Sequence, residues 1–351
     1  MQNKDVMASI ATTDERMHIK RVPGYQESGY LDPRAKEEIT PPEETDSVNE
    51  AAVIPDVAMM RAMMGWPAAK DIATHEILVT NTDFAGIPVR SYVKKERANE
   101  VLPAVVFYHG GGFFGGSLDN VDLPCRRIAD LGDIRVFSVD YGLAPENPYP
   151  KGIIDAYQAL VYVKHHHEAL KVNEANLNVM GDSAGGNLTY VMSLLDRLYG
   201  TNCIQHAVSL YPVVYQGKNE GLLQDFYNWN QLNIQADEAL IHQYATGFSQ
   251  SFSAIDAWYI RDADAESMMI SPYNADAELL AKLPKTLFMV GEFDALRPQG
   301  EAFYEKAKQA GADIYYLRYD GMVHAFMDKV GDYLQGDDCL KEAVQFMLAD
   351  D

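Results

Sequence analysis

The stretch Met180-Gly181-Asp182-Ser183-Ala184-Gly185-Gly186-Asn187-Leu188 decides the fold. It holds a G-x-S-x-G pentapeptide from Gly181 to Gly185. An apolar, strand-like run (Leu177, Val179, Met180) leads in, and a helix-like run from Leu188 to Leu198 leads out. A serine between them sits on a sharp strand-to-helix turn. The glycines permit strained backbone there and leave room for a substrate to approach. The helix that follows directs the positive end of its dipole at a reacting oxygen. Glycine-rich turns also join strands to helices for structural reasons alone. The pentapeptide becomes a nucleophile only if the rest of the chain supplies its partners.

Working outward, the chain alternates between strand and helix patterns from residue 74 onward. Expected strands are His75–Thr80, Ile87–Lys94, Ala104–Tyr108, Ile134–Asp140, Leu177–Met180, Ala207–Tyr211, Thr286–Val290 and Ile314–Tyr319. The first two, joined by a turn at Gly86, alternate in polarity like an antiparallel hairpin. Expected helices are Leu123–Leu131, Ile153–Leu170, Gly185–Tyr199, Gln299–Gly311 and Asp338–Leu348. Such alternation predicts an α/β fold: a mostly parallel, eight-stranded sheet flanked by helices on both faces. Two segments stand apart. Residues 1–70 are charged, are broken at Pro41-Pro42, and carry a Met-rich apolar stretch (Val57 to Met64, then Trp66). A Met-rich helix is packing in the ordinary case, and it also suits an adaptable pocket wall. Val213–Ala263 is aromatic, polar and helical in pattern, without a strand, as a lid over a site would be.

Bulk properties narrow the function. The 351 residues carry a net charge of -22, which repels phosphate backbones and anionic membranes. Nucleic acid is therefore not an expected partner, although the charge also serves plain solubility. Three widely spaced cysteines, Cys125, Cys203 and Cys339, make neither a disulfide framework nor a zinc pattern. The first residues lack a signal-peptide core, and no apolar run approaches the ~18 residues of a bilayer span. A cytoplasmic protein without membrane insertion is the expectation.

An activated serine needs oxyanion donors, a base, and an orienter for the base. His109-Gly110-Gly111-Gly112-Phe113 directly follows the apolar strand Ala104–Tyr108 and exposes backbone N–H groups. Gly111, Gly112 and Ala184 are the expected donors. The loop does not match a phosphate-binding G-x-x-x-x-G-K-[ST] pattern. Of nine histidines, His324 follows the last expected strand in a Gly-containing loop, where a general base belongs. His165-His166-His167 lies at a helix end, where adjacent positions do not share one face for a metal. His109 is expected to order its own loop. After the preceding strand, Gly291-Glu292-Phe293-Asp294 offers two carboxylates. Asp294 is the expected orienter and Glu292 a structural hydrogen-bonder. Chain order is then Ser183, Asp294, His324, as in an α/β-hydrolase sheet. Phe113 and Phe114, next to the donor loop, are expected to line the substrate pocket.

These motifs, with Tyr141-Gly-Leu-Ala-Pro-Glu146 and Pro150, resemble the hormone-sensitive-lipase-like family of esterases from about residue 75 to the end. The resemblance implies an α/β-hydrolase fold with a helical cap. It places the core at 71–212 and 266–351 and makes the cap from residues 1–70 and the insertion 213–265. It implies hydrolysis of small-molecule carboxylic esters of short-to-medium acyl chain, with no metal and no cofactor. The chain departs from the family in two places: Gly142 stands where Arg is frequent, and Pro298-Gln299 where Asp-Glu is usual. Other readings are a non-catalytic small-molecule receptor on the same fold, which would be expected to lose the serine or the base, and a deacetylase or amidase. The physiological ester and the oligomeric state, monomer or homo-oligomer, are left open by the sequence.

Overall fold

The computed structural model describes residues 9–12, 14–41, 56–64, 70–250 and 252–349. Pro42, Trp66 and the first eight residues, each used above, lie outside the described residues. The strands are β1 (Ser9–Ala11), β2 (Met17–Lys20), β3 (Ile77–Asp83), β4 (Pro88–Lys94), β5 (Leu102–Tyr108), β6 (Arg135–Val139), β7 (Val172–Asp182), β8 (Ile204–Leu210), β9 (Lys285–Gly291) and β10 (Ile314–Tyr319). The helices are α1 (Pro33–Ile39), α2 (Val57–Met63), α3 (Asp122–Leu131), α4 (Lys151–His165), α5 (His167–Leu170), α6 (Ala184–Leu198), α7 (Glu220–Phe226), α8 (Glu238–Gln250), α9 (Phe252–Ile255), α10 (Ala277–Leu280), α11 (Arg297–Ala310) and α12 (Leu334–Leu348).

One sheet runs in the order β1-β2-β10-β9-β8-β7-β5-β6-β4-β3. The pairs from β2 through β10, β9, β8, β7 and β5 to β6 are all parallel. The β3–β4 hairpin joins antiparallel, β4 against β6. The sheet is therefore mostly parallel, as expected, but among the described residues it has ten strands and not eight. The additional two, β1 and β2, come from the N-terminal segment expected to be wholly cap. Met17 to Lys20 pair in parallel with Tyr316 to Tyr319, so this stretch extends the β10 edge. Lys20 fixes it there through ion pairs to Asp338 (3.0 Å) and Glu342 (2.6 Å) on α12. The expected long helix Ile153–Leu170 is also two pieces, with His166 leaving helical geometry between α4 and α5.

The buried parallel strands read as near-continuous apolar runs because helices cover both faces. On β5, Val105 and Phe107 face one core with Cys125 and Ile128 of α3 and Leu340 and Val344 of α12. Ala104, Val106 and Tyr108 face the other core with Ala156 and Leu160 of α4 and Leu188 and Val191 of α6. This alternation is the two-residue period of a strand packed on both sides. The parallel pairing of β5, β7, β8, β9 and β10 aligns their C-terminal ends along one edge, and the loops leaving that edge carry His109, Ser183, Asp294 and His324. Among the described residues no helix is long and apolar enough to cross a membrane.

Candidate active site

The turn after β7 places Ser183 at φ +54°, ψ -115°, a conformation costly for a residue with a Cβ. Hydrogen bonds hold it there. Its N–H donates to the Leu210 carbonyl on β8 (2.9 Å), and its carbonyl accepts from Asn187 (3.0 Å) and Val213 (3.3 Å). The glycine after the turn is obligatory: a Cβ on Gly185 would lie 1.9 Å from the Tyr108 carbonyl oxygen. Helix α6 can start this close to β5 only without a side chain at that point.

His324 leaves β10 in a short loop, and its ring packs against two aromatic rings. Tyr211 meets it edge-on at 4.8 Å and Phe248 at 4.7 Å. The His324 N–H donates to the Tyr244 hydroxyl (3.0 Å), so α8 of the insertion fixes the backbone of this loop. Nδ1 lies 2.9 Å from Asp294 Oδ2, and Nε2 lies 2.9 Å from Ser183 Oγ. A carboxylate only accepts, so Nδ1 carries the hydrogen and Nε2 is left to accept from the serine hydroxyl. Asp294 is fully buried, and its other oxygen accepts from the Leu296 N–H (2.8 Å). The three residues expected from chain order are thus brought together in one hydrogen-bonded line.

Glu292 takes the other expected role. One oxygen accepts from the Gly29 N–H (2.8 Å) and the other from the Gly321 N–H (2.9 Å). Burial, with the Asp320 charge adding to it, pushes its carboxyl up to about 7.

The glycine loop after β5 is braced from beneath. His109 is fully buried, donates from Nδ1 to the Gly110 carbonyl (2.7 Å), and stacks on Tyr141 at 4.5 Å. Burial lowers its pKa and keeps the imidazole neutral. The Tyr141 hydroxyl donates to the His109 carbonyl (2.6 Å). The Gly110 N–H donates to Asp182 Oδ1 (2.9 Å), tying this loop to the serine turn. The internal hydrogen bonds of the loop run from the N–H groups of Phe114 and Gly115 to the Gly111 carbonyl. Gly111 (φ +120°) and Gly112 (φ +59°) adopt backbone that favours glycine, and both line the cavity beside Ser183. The Ala184 N–H opens α6 one residue after the serine.

That cavity has a volume of about 350 Å³. Met60 and Met64 contribute from α2 and its end, Tyr244 and Phe248 from α8, and Phe252 and Ile255 from α9. Phe114 is a wall residue as expected, but Phe113 is not. Its ring is buried outside the cavity wall and stacks on Tyr259 at 4.2 Å and 5°, with the backbone at φ +65°. Two carboxyls that sequence reasoning missed also line the cavity, Asp182 and Asp328. Burial raises Asp182 to about 7, against the opposing effects of the Gly110 N–H and His324. Arg61 was missed as well. It donates to the Phe114 carbonyl (2.6 Å) and the Ala144 carbonyl (2.9 Å) and pairs with Glu146 (2.7 Å), clamping α2 onto the glycine loop.

Both departures from the family pattern find partners. Gly142 donates to Asp155 Oδ2 (3.0 Å), and a Cβ there would meet Lys151 Cγ at 2.9 Å. Buried Gln299 accepts from the N–H groups of Val214 (2.8 Å) and Tyr215 (2.9 Å), holding the start of the insertion. Among the described residues no group of three or more His, Cys, Asp or Glu side chains forms a metal site.

Comparison with known proteins agrees with this architecture. Residues 105–328 match a family model described as alpha/beta hydrolase fold. The chain is 33% identical over 247 residues to carboxylesterase NlhH of Mycobacterium tuberculosis, covering 69% of this chain and 72% of that protein. It is 30% identical over 245 residues to an arylesterase of Saccharolobus solfataricus, covering 69% and 73% of the two chains. Among solved structures, an esterase of the archaeon Pyrobaculum calidifontis superposes with a TM-score of 0.71 at 29% identity, over 91% of this chain and 98% of that one. With this fold and these relatives, the chain belongs to the α/β-hydrolase family, in its hormone-sensitive-lipase-like branch of esterases.

Proposed function

We propose that the protein is a serine esterase that hydrolyses carboxylic esters of short-to-medium acyl chain through an acyl-enzyme. One observation carries this reading: the continuous line Ser183 Oγ, His324 Nε2, His324 Nδ1, Asp294 Oδ2, with both contacts at 2.9 Å beside the cavity. The names of the relatives, carboxylesterase and arylesterase, support the reaction class.

Ser183 Oγ attacks the ester carbonyl carbon while His324 Nε2 accepts the hydroxyl proton. The carbonyl electron pair moves onto oxygen, and the N–H groups of Gly111, Gly112 and Ala184 hold that oxyanion. Each such donor contributes about 3–4 kcal/mol to the transition state. The tetrahedral species collapses, the carbon–alkoxy bond breaks, and His324 gives its proton to the departing alcohol. Water, deprotonated by the same nitrogen, then attacks the acyl-Ser183 and releases the acid. Asp294 keeps the histidine in the right tautomer and stabilises the imidazolium without taking the proton.

The described parts of residues 1–70 beyond β2 and of 213–265 act as the cap, contributing the Met60, Met64, Tyr244, Phe248, Phe252 and Ile255 surface. A cavity of about 350 Å³ suits a small ester better than a long-chain glyceride. The test is a series of p-nitrophenyl esters from acetate to palmitate, with p-nitroacetanilide as an amide control, on wild type and Ser183→Ala. The expected result is a kcat/KM maximum at a short or medium chain, slow or no amide cleavage, and loss of turnover in the variant. Retained turnover in Ser183→Ala, or a maximum at palmitate, overturns the reading.

A further inference from the structure

A carboxyl buried in an apolar setting is expensive unless hydrogen bonds satisfy it. Asp328 follows His324 by four residues, in the short helical turn Phe326–Lys329. It is 3% exposed, it lines the cavity that holds Ser183 and His324, and neither of its oxygens has a hydrogen-bond partner among the described residues. Nothing in the proposed hydrolysis uses it. Asp294 already orients the base, and the oxyanion donors are backbone groups of Gly111, Gly112 and Ala184. Most of the cavity wall is apolar, with Met60, Met64, Phe114, Val213, Phe252 and Ile255 among its residues, so a carboxyl is an exception in it.

The charged neighbours also leave Asp328 without a counter-ion. Lys329 is engaged by Glu38 at 2.7 Å. Asp182, the other carboxyl on the cavity, is committed to the Gly110 N–H. The buried Tyr211 hydroxyl acts nearby but donates no hydrogen bond to it among the described residues. Burial, reinforced by the charge of Asp182, pushes Asp328 well above the usual carboxylate range. That direction favours the neutral acid, which has one O–H to donate and one carbonyl oxygen to accept.

We infer that Asp328 is a specificity-determining residue: its carboxyl hydrogen-bonds an uncharged oxygen group of the substrate, so that the site favours esters bearing a hydroxyl or keto oxygen over plain alkyl esters. This rests on Ser183 being the nucleophile. A site built to hydrogen-bond a substrate group discriminates against the analogue that lacks it, because its own polar group is then left buried and unpaired.

The test compares matched ester pairs on one enzyme preparation, so that the active fraction cancels: p-nitrophenyl 3-hydroxybutyrate against p-nitrophenyl valerate, and the mono-butyrate of ethylene glycol against propyl butyrate. The choline ester of butyrate adds a cationic arm. Wild type, Asp328→Leu and Asp328→Asn are measured. In wild type the kcat/KM ratio of oxygenated to alkyl ester is expected to exceed one in at least one pair. That ratio is expected to fall about ten-fold in Asp328→Leu and to be largely retained in Asp328→Asn, which keeps a donor and an acceptor without charge. Unchanged ratios in Asp328→Leu overturn the inference while leaving ester hydrolysis standing. A preference for the choline ester that both variants lose also overturns it, because the group would then act as a carboxylate. If wild type turns over none of these esters, it is the esterase reading that fails.

Discussion

Gly29 donates its backbone N–H to Glu292 Oε1 at 2.8 Å, across 263 residues of sequence. The second oxygen of the same carboxyl accepts from Gly321, three residues before His324. The Gly29 carbonyl in turn accepts from the Gln235 N–H of the insertion (2.9 Å). One side chain thus binds the N-terminal segment, the acid loop and the histidine loop into a single unit, with the insertion attached through Gly29. The base keeps its position because this unit is closed.

Glu292→Gln leaves one of these two N–H groups without an acceptor, at a cost of about 1–3 kcal/mol. The pH dependence has a definite sign. Burial raises the Glu292 carboxyl from an ordinary 4.5 to about 7, so the folded chain binds this proton more tightly than the unfolded chain. Its contribution to stability is full below about pH 4.5, declines as pH rises to about 7, and is constant above. Urea unfolding of wild type and variant between pH 5 and pH 8 is expected to show a stability gap that narrows with rising pH. A gap that widens means the charged form is the one the backbone donors favour.

Arg61→Gln releases α2 from the Phe114 and Ala144 carbonyls and from Glu146. Met60 and Met64 then lose their fixed position on the cavity. KM for a short ester is expected to rise several-fold with a smaller change in kcat, because α2 touches the cavity but not the reacting atoms. An equal fall in kcat and kcat/KM would instead place Arg61 in the support of the oxyanion loop.

The adjacent phenylalanines are expected to separate by readout. Phe113→Ala removes the stack on Tyr259 and is expected to cost about 3–5 kcal/mol in urea unfolding, with the acyl-chain profile unchanged. Phe114→Ala opens the cavity wall and is expected to move the acyl-chain optimum to longer esters. A shifted optimum in Phe113→Ala contradicts its place outside the cavity wall.

Gly185→Ala puts a methyl group 1.9 Å from the Tyr108 carbonyl, which is backbone and cannot swing aside. A loss of at least 1–3 kcal/mol is expected, roughly the cost of overpacking, with the serine turn displaced. Circular dichroism melting and ester turnover on the same sample check it. Wild-type behaviour in both would mean that α6 does not start this close to β5.

Much of this site was legible in the sequence because its parts are local. The glycines around Ser183 and the order Ser183, Asp294, His324 follow from short motifs at the ends of periodic strands, and Glu292 was separable from Asp294 by its distance from the strand end. What was not legible depends on long-range packing. β1 and β2 are three and four residues long, and although they pair with each other, β2 joins the sheet through β10, which lies about 300 residues later. Arg61 has no motif, and its acceptors are carbonyl groups. Phe113 and Phe114 look alike in sequence, and only the folded packing separates them, with Phe113 stacked on Tyr259 and Phe114 edge-on to Trp258. Asp328 is an ordinary acidic residue until burial beside Asp182 makes it costly.

The most direct measurement of the central claim is covalent. The protein is treated with a fluorophosphonate ester, the adduct is mapped by peptide mass spectrometry, and residual turnover of p-nitrophenyl butyrate is followed in parallel. The account predicts one adduct, on Ser183, formed in step with the loss of turnover and absent in Ser183→Ala. An adduct on another residue, or turnover that survives full modification of Ser183, contradicts it.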